Sequence, residues 1–271
     1  RTGLHSKTTT RLQGMYAATR LSITDPLSVI VGVRTSNYSS VTRSVAGERS
    51  SQEENGIVTP YLGAVYDLND NYSVYASYTD IFTPQTSETS SGSKVEPIRG
   101  QSYETGIKGE WFDGRLNASA AYFRTKQENK AVLDGDLTTP TGNDAYKAGS
   151  GQETDGIDVK LKYGFDSSVG RFTTTIAGTR TLSYERQLTA DDPAEDLLGK
   201  LSGASEIARP EFVGDAAIDW ELQDWNASLS THYVSSLGDG DFKFDNETVK
   251  SWLTLNASVG YNISDKQDVQ F

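Results

Sequence analysis

The chain has 271 residues, 35% hydrophobic and 23% charged, and its 25 basic against 37 acidic residues leave a net charge of −12. With no Cys and only two His, it has no disulfide framework, no thiolate metal site, no Cys nucleophile and no three-His metal centre. The acidic balance argues against nucleic acid as a partner, and no apolar run reaches the roughly 18 residues that a transmembrane helix needs.

What remains is a β composition: 14 Tyr, 9 Phe, 4 Trp and 25 Gly, with abundant Ser and Thr. Period-two alternation runs through the chain in order. Met15, Ala17, Thr19, Leu21 and Ile23 share one face, followed by Leu27, Val29, Val31 and Val33, with Ile30 the one apolar residue on the opposite side. The segment 58–68 is less regular because Pro60 interrupts it. Tyr103, Thr105, Ile107, Gly109 and Trp111 alternate with Glu104, Gly106, Lys108 and Glu110. Leu116, Ala118, Ala120 and Tyr122 then alternate with Asn117, Ser119 and Ala121, and Ile157, Val159, Leu161 and Tyr163 with Asp158, Lys160 and Lys162. The pattern continues through Trp225 to Tyr233 and through Leu253 to Ile263.

Twelve strands are predicted, at 8–23, 27–36, 56–68, 71–82, 102–112, 115–126, 156–165, 169–182, 211–222, 225–235, 250–263 and from 267. Their connections alternate strictly. Short turns fall at 24–26, 69–71, 113–114, 166–169, 223–224 and 264–267; long loops fall at 36–55, 80–101, 127–155, 182–210 and 235–250. An up-and-down membrane β-barrel sorts its loops in this way, with short turns on one side and long loops on the other. A soluble β-sandwich has no reason to. The runs last about ten residues, the length that carries a tilted strand across a bilayer. Many apolar faces end in Tyr or Trp (Tyr66, Tyr72, Trp111, Tyr163, Trp220, Trp225, Tyr261), as an interfacial girdle requires. The fold class is therefore all-β, a transmembrane antiparallel up-and-down barrel. Residues 1–5 carry neither an initiator Met nor the regions of a signal peptide, and the last residues open a strand, so 1–271 reads as a partial barrel domain of a larger protein.

Three stretches carry a family resemblance: Tyr61 to Gln85 (YLGAVYDLNDNYSVYASYTDIFTPQ), Tyr103 to Phe123 (YETGIKGEWFDGRLNASAAYF) followed by QENKA at 127–131, and the entry segment Gly14 to Tyr38. They resemble the barrels of TonB-dependent ferric-siderophore receptors, with the ferric-pyoverdine and hydroxamate branch closest in character. The likeness is strong over about 10–131 and generic beyond. It implies a 22-stranded type of barrel, an N-terminal plug domain that is not within 1–271, and a location in the bacterial outer membrane. The partners it implies are a ferric siderophore, outer-membrane lipid and lipopolysaccharide, and the inner-membrane TonB energy-transducing protein acting through the plug. It implies no cofactor; iron enters only within the ligand. A TonB-dependent receptor for a glycan or cobalamin, or a passive pore or adhesin, is the alternative.

Transport needs a binding mouth rather than catalytic groups. Strand polarity places Tyr38, Phe82, Tyr103, Tyr146, Tyr184, Phe242, Phe244 and Trp252 at or near the long-loop end, where aromatic rings can bury a chelate or its chromophore. Arg99, with Arg43, Arg49, Arg186 and Arg209, offers charge to anionic groups, or pairs with acids nearby. The predicted mouth is Tyr38, Phe82, Arg99, Tyr103, Tyr146, Tyr184, Phe242 and Trp252. The long loops are acidic: segment 126–156 carries six acids against three bases and 182–211 seven against three. Asp239, Asp241 and Asp245 have a loosely calcium-like spacing but lack the glycine and terminal Glu of an EF-hand loop, so a solvated acidic loop is the expectation. Asp158, Lys160, Lys162, Glu104, Lys108 and Glu110 should face the lumen, either as the polar lining of a water-filled interior or as ion-pair partners of a plug. His232 also falls on the lumen side, and with no Gly-x-Ser-x-Gly motif present no enzyme is expected.

Overall fold

A computed structural model of the chain describes residues 7–43, 49–187, 193–201, 209–238, 248–264 and 267–270. Its strands are β1 (Lys7–Ser22), β2 (Leu27–Arg43), β3 (Arg49–Asp67), β4 (Tyr72–Thr83), β5 (Ile98–Trp111), β6 (Leu116–Glu128), β7 (Ala131–Thr138), β8 (Asp144–Ala148), β9 (Gln152–Ser167), β10 (Gly170–Arg186), β11 (Glu195–Asp196), β12 (Phe212–Leu222), β13 (Trp225–Val234), β14 (Trp252–Ser264) and β15 (Gln267–Gln270). The wall is one antiparallel sheet in the order β1-β2-β3-β4-β5-β6-β9-β10-β12-β13-β14-β15, so every wall strand between β1 and β15 pairs with its predecessor and its successor along that path. The short strand β11 adds to β10, and β7 with β8 makes a separate hairpin. No helix of the described residues is long and apolar enough to cross a membrane.

Register decides which face each residue shares. Val31, Leu62, Tyr78, Tyr103 and Arg124 stand in one row across β2 to β6. Ile107, Ala120, Val159, Gly178 and Gly214 stand in another, from β5 to β12. All the apolar sets predicted from alternation join into a single continuous face. That face is exposed: Met15 is 77% accessible, and Leu253 and Leu255 are each 65%. Fully exposing a large aliphatic side chain costs ~1.5–3 kcal/mol. Take Val31, Ile107, Val159, Leu161, Ile176, Ile218, Leu229, Leu253, Leu255 and Val259, all exposed. Even at half exposure these ten would cost ~7–15 kcal/mol in water, the whole net stability of an ordinary domain. This sheet therefore needs hydrocarbon against it.

Two aromatic rings bound the apolar band. At the long-loop end Tyr78 meets Tyr103 (centroids 5.1 Å) and Phe212 meets Tyr233 (6.1 Å). At the short-turn end Tyr72 meets Trp111 edge-on (5.3 Å), Trp225 meets Tyr261 (4.9 Å), and Tyr163, Phe165 and Phe172 stack in series. Tyr103 to Trp111, Phe212 to Trp220 and Tyr233 to Trp225 each span the same number of residues, eight steps of about 3.4 Å. At a tilt of ~40° that is a height of ~21 Å, close to the ~25 Å apolar band of a membrane barrel. Glycines admit some of these rings: a Cβ at Gly109 would sit 2.2 Å from the Trp111 indole, so the ring lies across the space where a side chain would be.

The first five predicted short turns hold, and residues 265–266 of the sixth lie outside the described residues; at the other end the wall strands from β2 to β10 run farther than predicted, while β12, β13 and β14 stop one or two residues short. β2 and β3 extend as a ladder from Tyr38↔Glu54 to Arg43↔Arg49 through most of a predicted loop. A bulge interrupts them after Ser36, where Gly56 takes a φ of +66° and donates its N–H to Asn37 Oδ1 at 2.8 Å. The β3–β4 ladder stops at Tyr61↔Thr79, beside Pro60, which has no N–H to give to it.

Candidate functional site

The opposite face is polar. On it stand Glu104 and Lys108 of β5, Asp158, Lys160 and Lys162 of β9, and Asp215 of β12, whose Oδ1 lies 2.8 Å from His232 Nδ1 on β13. Among the described residues, this inner face at the long-loop end and the loops above it carry most of the buried side chains. Tyr184 of β10 is 1% exposed. Its hydroxyl donates to Gln152 Oε1 at 3.2 Å, the Arg209 guanidinium lies 5.3 Å over its ring, and its carbonyl accepts the N–H of Leu197 at 2.8 Å. Tyr38 of β2 is buried at the same end, opposite Leu12 and Glu54.

The loops at this end interlock. Gln85 is buried, and its amide donates to the carbonyls of Glu96 and Asn129 (2.5 Å to the latter) while its Oε1 accepts the N–H of Ala131 at 2.7 Å. One side chain thus ties the β4–β5 loop to the start of the β7–β8 hairpin. Tyr146 of β8 continues the seam, its N–H reaching the Glu88 carbonyl at 2.8 Å, and Glu88 pairs with Lys94 at 2.8 Å. Val95, Val132 and Ala145 are buried there. The hairpin turns through Thr139-Pro140-Thr141-Gly142, closed by Gly142 N–H to Thr139 O at 2.9 Å.

The predicted mouth residues separate into two sets. Tyr38, Tyr184 and, by its register with Val234, Trp252 stand on the inner face; Trp252 is exposed at the rim. Tyr146 lies in the hairpin. Phe82, Arg99 and Tyr103 share the register row parity of the lipid-facing residues, so they stand on the outer face and are not brought to the other three. There the Arg99 guanidinium covers the Phe82 ring at 5.7 Å, beside a recess of about 250 Å³ where β3 and β4 part. Phe242, Phe244 and the Asp239, Asp241 and Asp245 spacing lie outside the described residues. Among the described residues no group of three or more His, Asp or Glu side chains is arranged to hold a metal ion. From the outer aromatic ring upward the outward face turns charged: Arg124, in the row of Tyr103, pairs with Glu153, and beyond it Lys126 pairs with Glu128 at 2.9 Å. The hydrogen bond and charge of Glu128 hold Lys126 above its usual pKa range.

Sequence reasoning passed over Gln85 and the β7–β8 hairpin. The turn signal Pro140-Thr141-Gly142 was present for the hairpin; a polar residue following Pro84 gives no sign that it will be buried.

The sequence matches the family described as "TonB dependent receptor-like, beta-barrel" over residues 2–271. The chain belongs to that family. Its members are receptors of the outer membrane rather than enzymes, which gives the apolar face its hydrocarbon; barrels of that membrane turn their long loops outward and their short turns to the periplasm. Among relatives, the ferripyoverdine receptor of Pseudomonas aeruginosa is 46% identical over 166 residues, 59% of this chain and 19% of that protein. The ferric-pyoverdine M114 receptor of Pseudomonas sp. is 52% identical over 129 residues, 45% of this chain and 16% of that protein. The solved ferripyoverdine receptor of the P. aeruginosa outer membrane, bound to ferripyoverdine, superposes with a TM-score of 0.73 at 28% identity, over 97% of this chain and 34% of that one. The chain thus spans about a third of the solved receptor and corresponds to part of its barrel.

Proposed function

We propose that this chain is part of the barrel wall and extracellular mouth of a receptor that binds a ferric siderophore and takes it up by TonB-dependent transport. The observation that carries this reading is the 46% identity to a ferripyoverdine receptor over 166 residues. The geometry supports it: Tyr38, Tyr184 and Trp252 on the inner face of the long-loop end, beside the interlocked β4–β5 loop and β7–β8 hairpin, stand above a polar wall. Aromatic rings offer area to a chelate or its chromophore at low entropic cost. In this reading iron is cargo inside the ligand and no resident cofactor is required. Outer-membrane lipid and lipopolysaccharide cover the apolar face and the charged band above it. The TonB protein acts through a plug domain outside these residues.

The test uses the full-length gene product in its outer membrane. Ferric pyoverdine should bind saturably to energy-depleted cells, and accumulation of labelled iron should require both the receptor and TonB. No saturable binding of any ferric chelate, with binding of cobalamin or an oligosaccharide instead, would replace this reading by that of a receptor for another scarce ligand.

A further inference from the structure

The wall parts between β3 and β4 on its outward surface. The β3–β4 ladder ends at Tyr61↔Thr79, while β3 continues to Arg49 against β2 and β4 to Thr83 against β5. The opening holds a recess of about 250 Å³ lined by Val58, Ile81, Phe82, Arg99, Gln101 and Lys126, among others. β3 to β6 lie inside the sheet with paired strands on both sides, and this surface meets the membrane, so neither the lumen nor the ends of the chain bear on it.

The backbone supplies donors and acceptors to the recess. Leu68 N–H donates to the Tyr72 carbonyl at 2.8 Å and Glu110 N–H to that of Asn71 at 2.9 Å. Bonding partners alternate along an antiparallel strand, so even-numbered residues of β4 turn their N–H and C=O to β3 and odd-numbered ones to β5. Asp67 N–H donates to the Pro26 carbonyl at 2.8 Å, so in β3 it is the even-numbered residues that turn to β4. Val58 and Phe82 stand beyond the last pair, and their N–H and C=O groups point into the opening. The Arg99 guanidinium lies 5.7 Å over the Phe82 ring, a stacking that leaves its N–H fork free. Arg99 is exposed, and among the described residues it is in no ion pair. The acids alongside are engaged: Asp80 accepts the Tyr78 hydroxyl, and Glu128 pairs with Lys126 at 2.9 Å. Cations and acids balance here, so the recess offers directed groups rather than a field.

Its height selects the ligand. Thr79 lies one residue above the outer ring at Tyr78, Phe82 and Arg99 four residues above the Tyr78–Tyr103 row, or ~3 and ~10 Å at a tilt of ~40°. The polar layer outside the hydrocarbon is roughly 5–8 Å thick on each side, so the recess stands at headgroup level. Leu62, in the row of Tyr78 and exposed, forms an apolar lip below it. A fitting ligand accepts from a guanidinium and from backbone amides, donates to carbonyls, and carries acyl chains downward. We propose that the β3–β4 parting seats the phosphorylated sugar headgroup of one outer-leaflet lipopolysaccharide molecule. Arg99 and the amides of Val58 and Phe82 take the phosphate, and the sugar hydroxyls donate to the free carbonyls. The proposal rests on the outer-membrane location and not on the ferric ligand.

Purified lipid A, titrated into delipidated full-length protein in detergent and followed by native mass spectrometry, tests the site. A single lipid A should remain bound at about micromolar concentration, and its dephosphorylated form and phosphatidylglycerol should each bind about tenfold more weakly. Arg99→Gln should weaken lipid A about tenfold, with Arg99→Lys recovering part of the loss. Val58→Trp fills the recess without altering charge and should weaken binding as much as Arg99→Gln. Arg180→Gln, on the outward face of β10, should change nothing. Equal binding of phosphatidylglycerol, or equal losses in Arg99→Gln and Arg180→Gln, would mean a general collar for anionic lipid and overturns the proposal. Hydrogen exchange of the unaltered protein needs no variant: lipid A should slow the amides of Val58 and Phe82, and unchanged exchange there overturns the site. If the receptor binds no ferric chelate, the uptake reading falls and these measurements still decide the site.

Discussion

Leu229 lies at the middle of the apolar band, and replacing it by Arg measures what that band touches. On β13 the outer ring is marked by Tyr233 and the inner one by Trp225, and Leu229 is midway, flanked by Ile218 and Ala257. Four residues separate it from either ring, ~14 Å along the strand and ~10 Å in depth at a tilt of ~40°. An Arg on the lipid side at that depth costs ~2–4 kcal/mol, a factor of about 30 to 700 in the folding equilibrium. Ser230→Arg faces the opposite way and should stay within about 0.5 kcal/mol. Leu253→Arg is as lipid-facing as Leu229→Arg, but it lies opposite Tyr233 at the outer ring, where the cost falls to ~0–1 kcal/mol. The assay is reversible denaturation of the full-length protein in phosphatidylcholine vesicles, followed by Trp fluorescence. Equal costs for Leu229→Arg and Ser230→Arg, or a cost at Leu253 as large as at Leu229, would refute the assignment of faces or of depth.

Gln85→Ala strips partners from two carbonyls and an N–H, at ~1–3 kcal/mol for each orphaned group; hydrogen exchange should accelerate across the β7–β8 hairpin while the wall strands keep their protection. At Tyr184, Phe removes only the bond to Gln152 and should cost ~1 kcal/mol, whereas Ala empties a buried site and should cost ~3–5 kcal/mol. Protease resistance of the extracellular loops, read on intact cells, separates these two variants. Gly56→Val forces a β-branched residue into the left-handed region at the bulge, a penalty of ~1–2 kcal/mol that thermal unfolding would register.

The wall was legible because hydrocarbon imposes alternation: a residue between the two aromatic rings has lipid on one side and water on the other, so Leu255 and Asn256 announce their faces. Above the outer ring that constraint ends. The extensions of β2 and β3 have water or loop on both sides, and their Ser, Thr and Arg run carries no period, so they read as loop. The mouth was only partly legible for a different reason. Tyr38, Phe82, Arg99, Tyr103 and Tyr184 share a height along the barrel, and height does not fix direction. Parity does: Phe82 shares it with Val74 and Tyr78, and Tyr184 reaches the inner face only after a register shift between Thr181 and Ser183 that no local signal announces. Gln85 acts through three backbone groups brought together by tertiary structure, which no short-range pattern encodes.

The central claim is that one face of this sheet touches lipid and the other touches water. Nitroxide scanning of β13 tests it directly, since the chain has no Cys and each introduced Cys is unique within it. With labels placed one at a time from Ala227 to His232 in the full-length protein in vesicles, Ala227, Leu229 and Thr231 should be accessible to oxygen dissolved in the bilayer. Ser228, Ser230 and His232 should respond instead to a water-soluble nickel chelate. Protection of the odd-numbered positions from both reagents would mean that those side chains pack against protein, and would contradict the account.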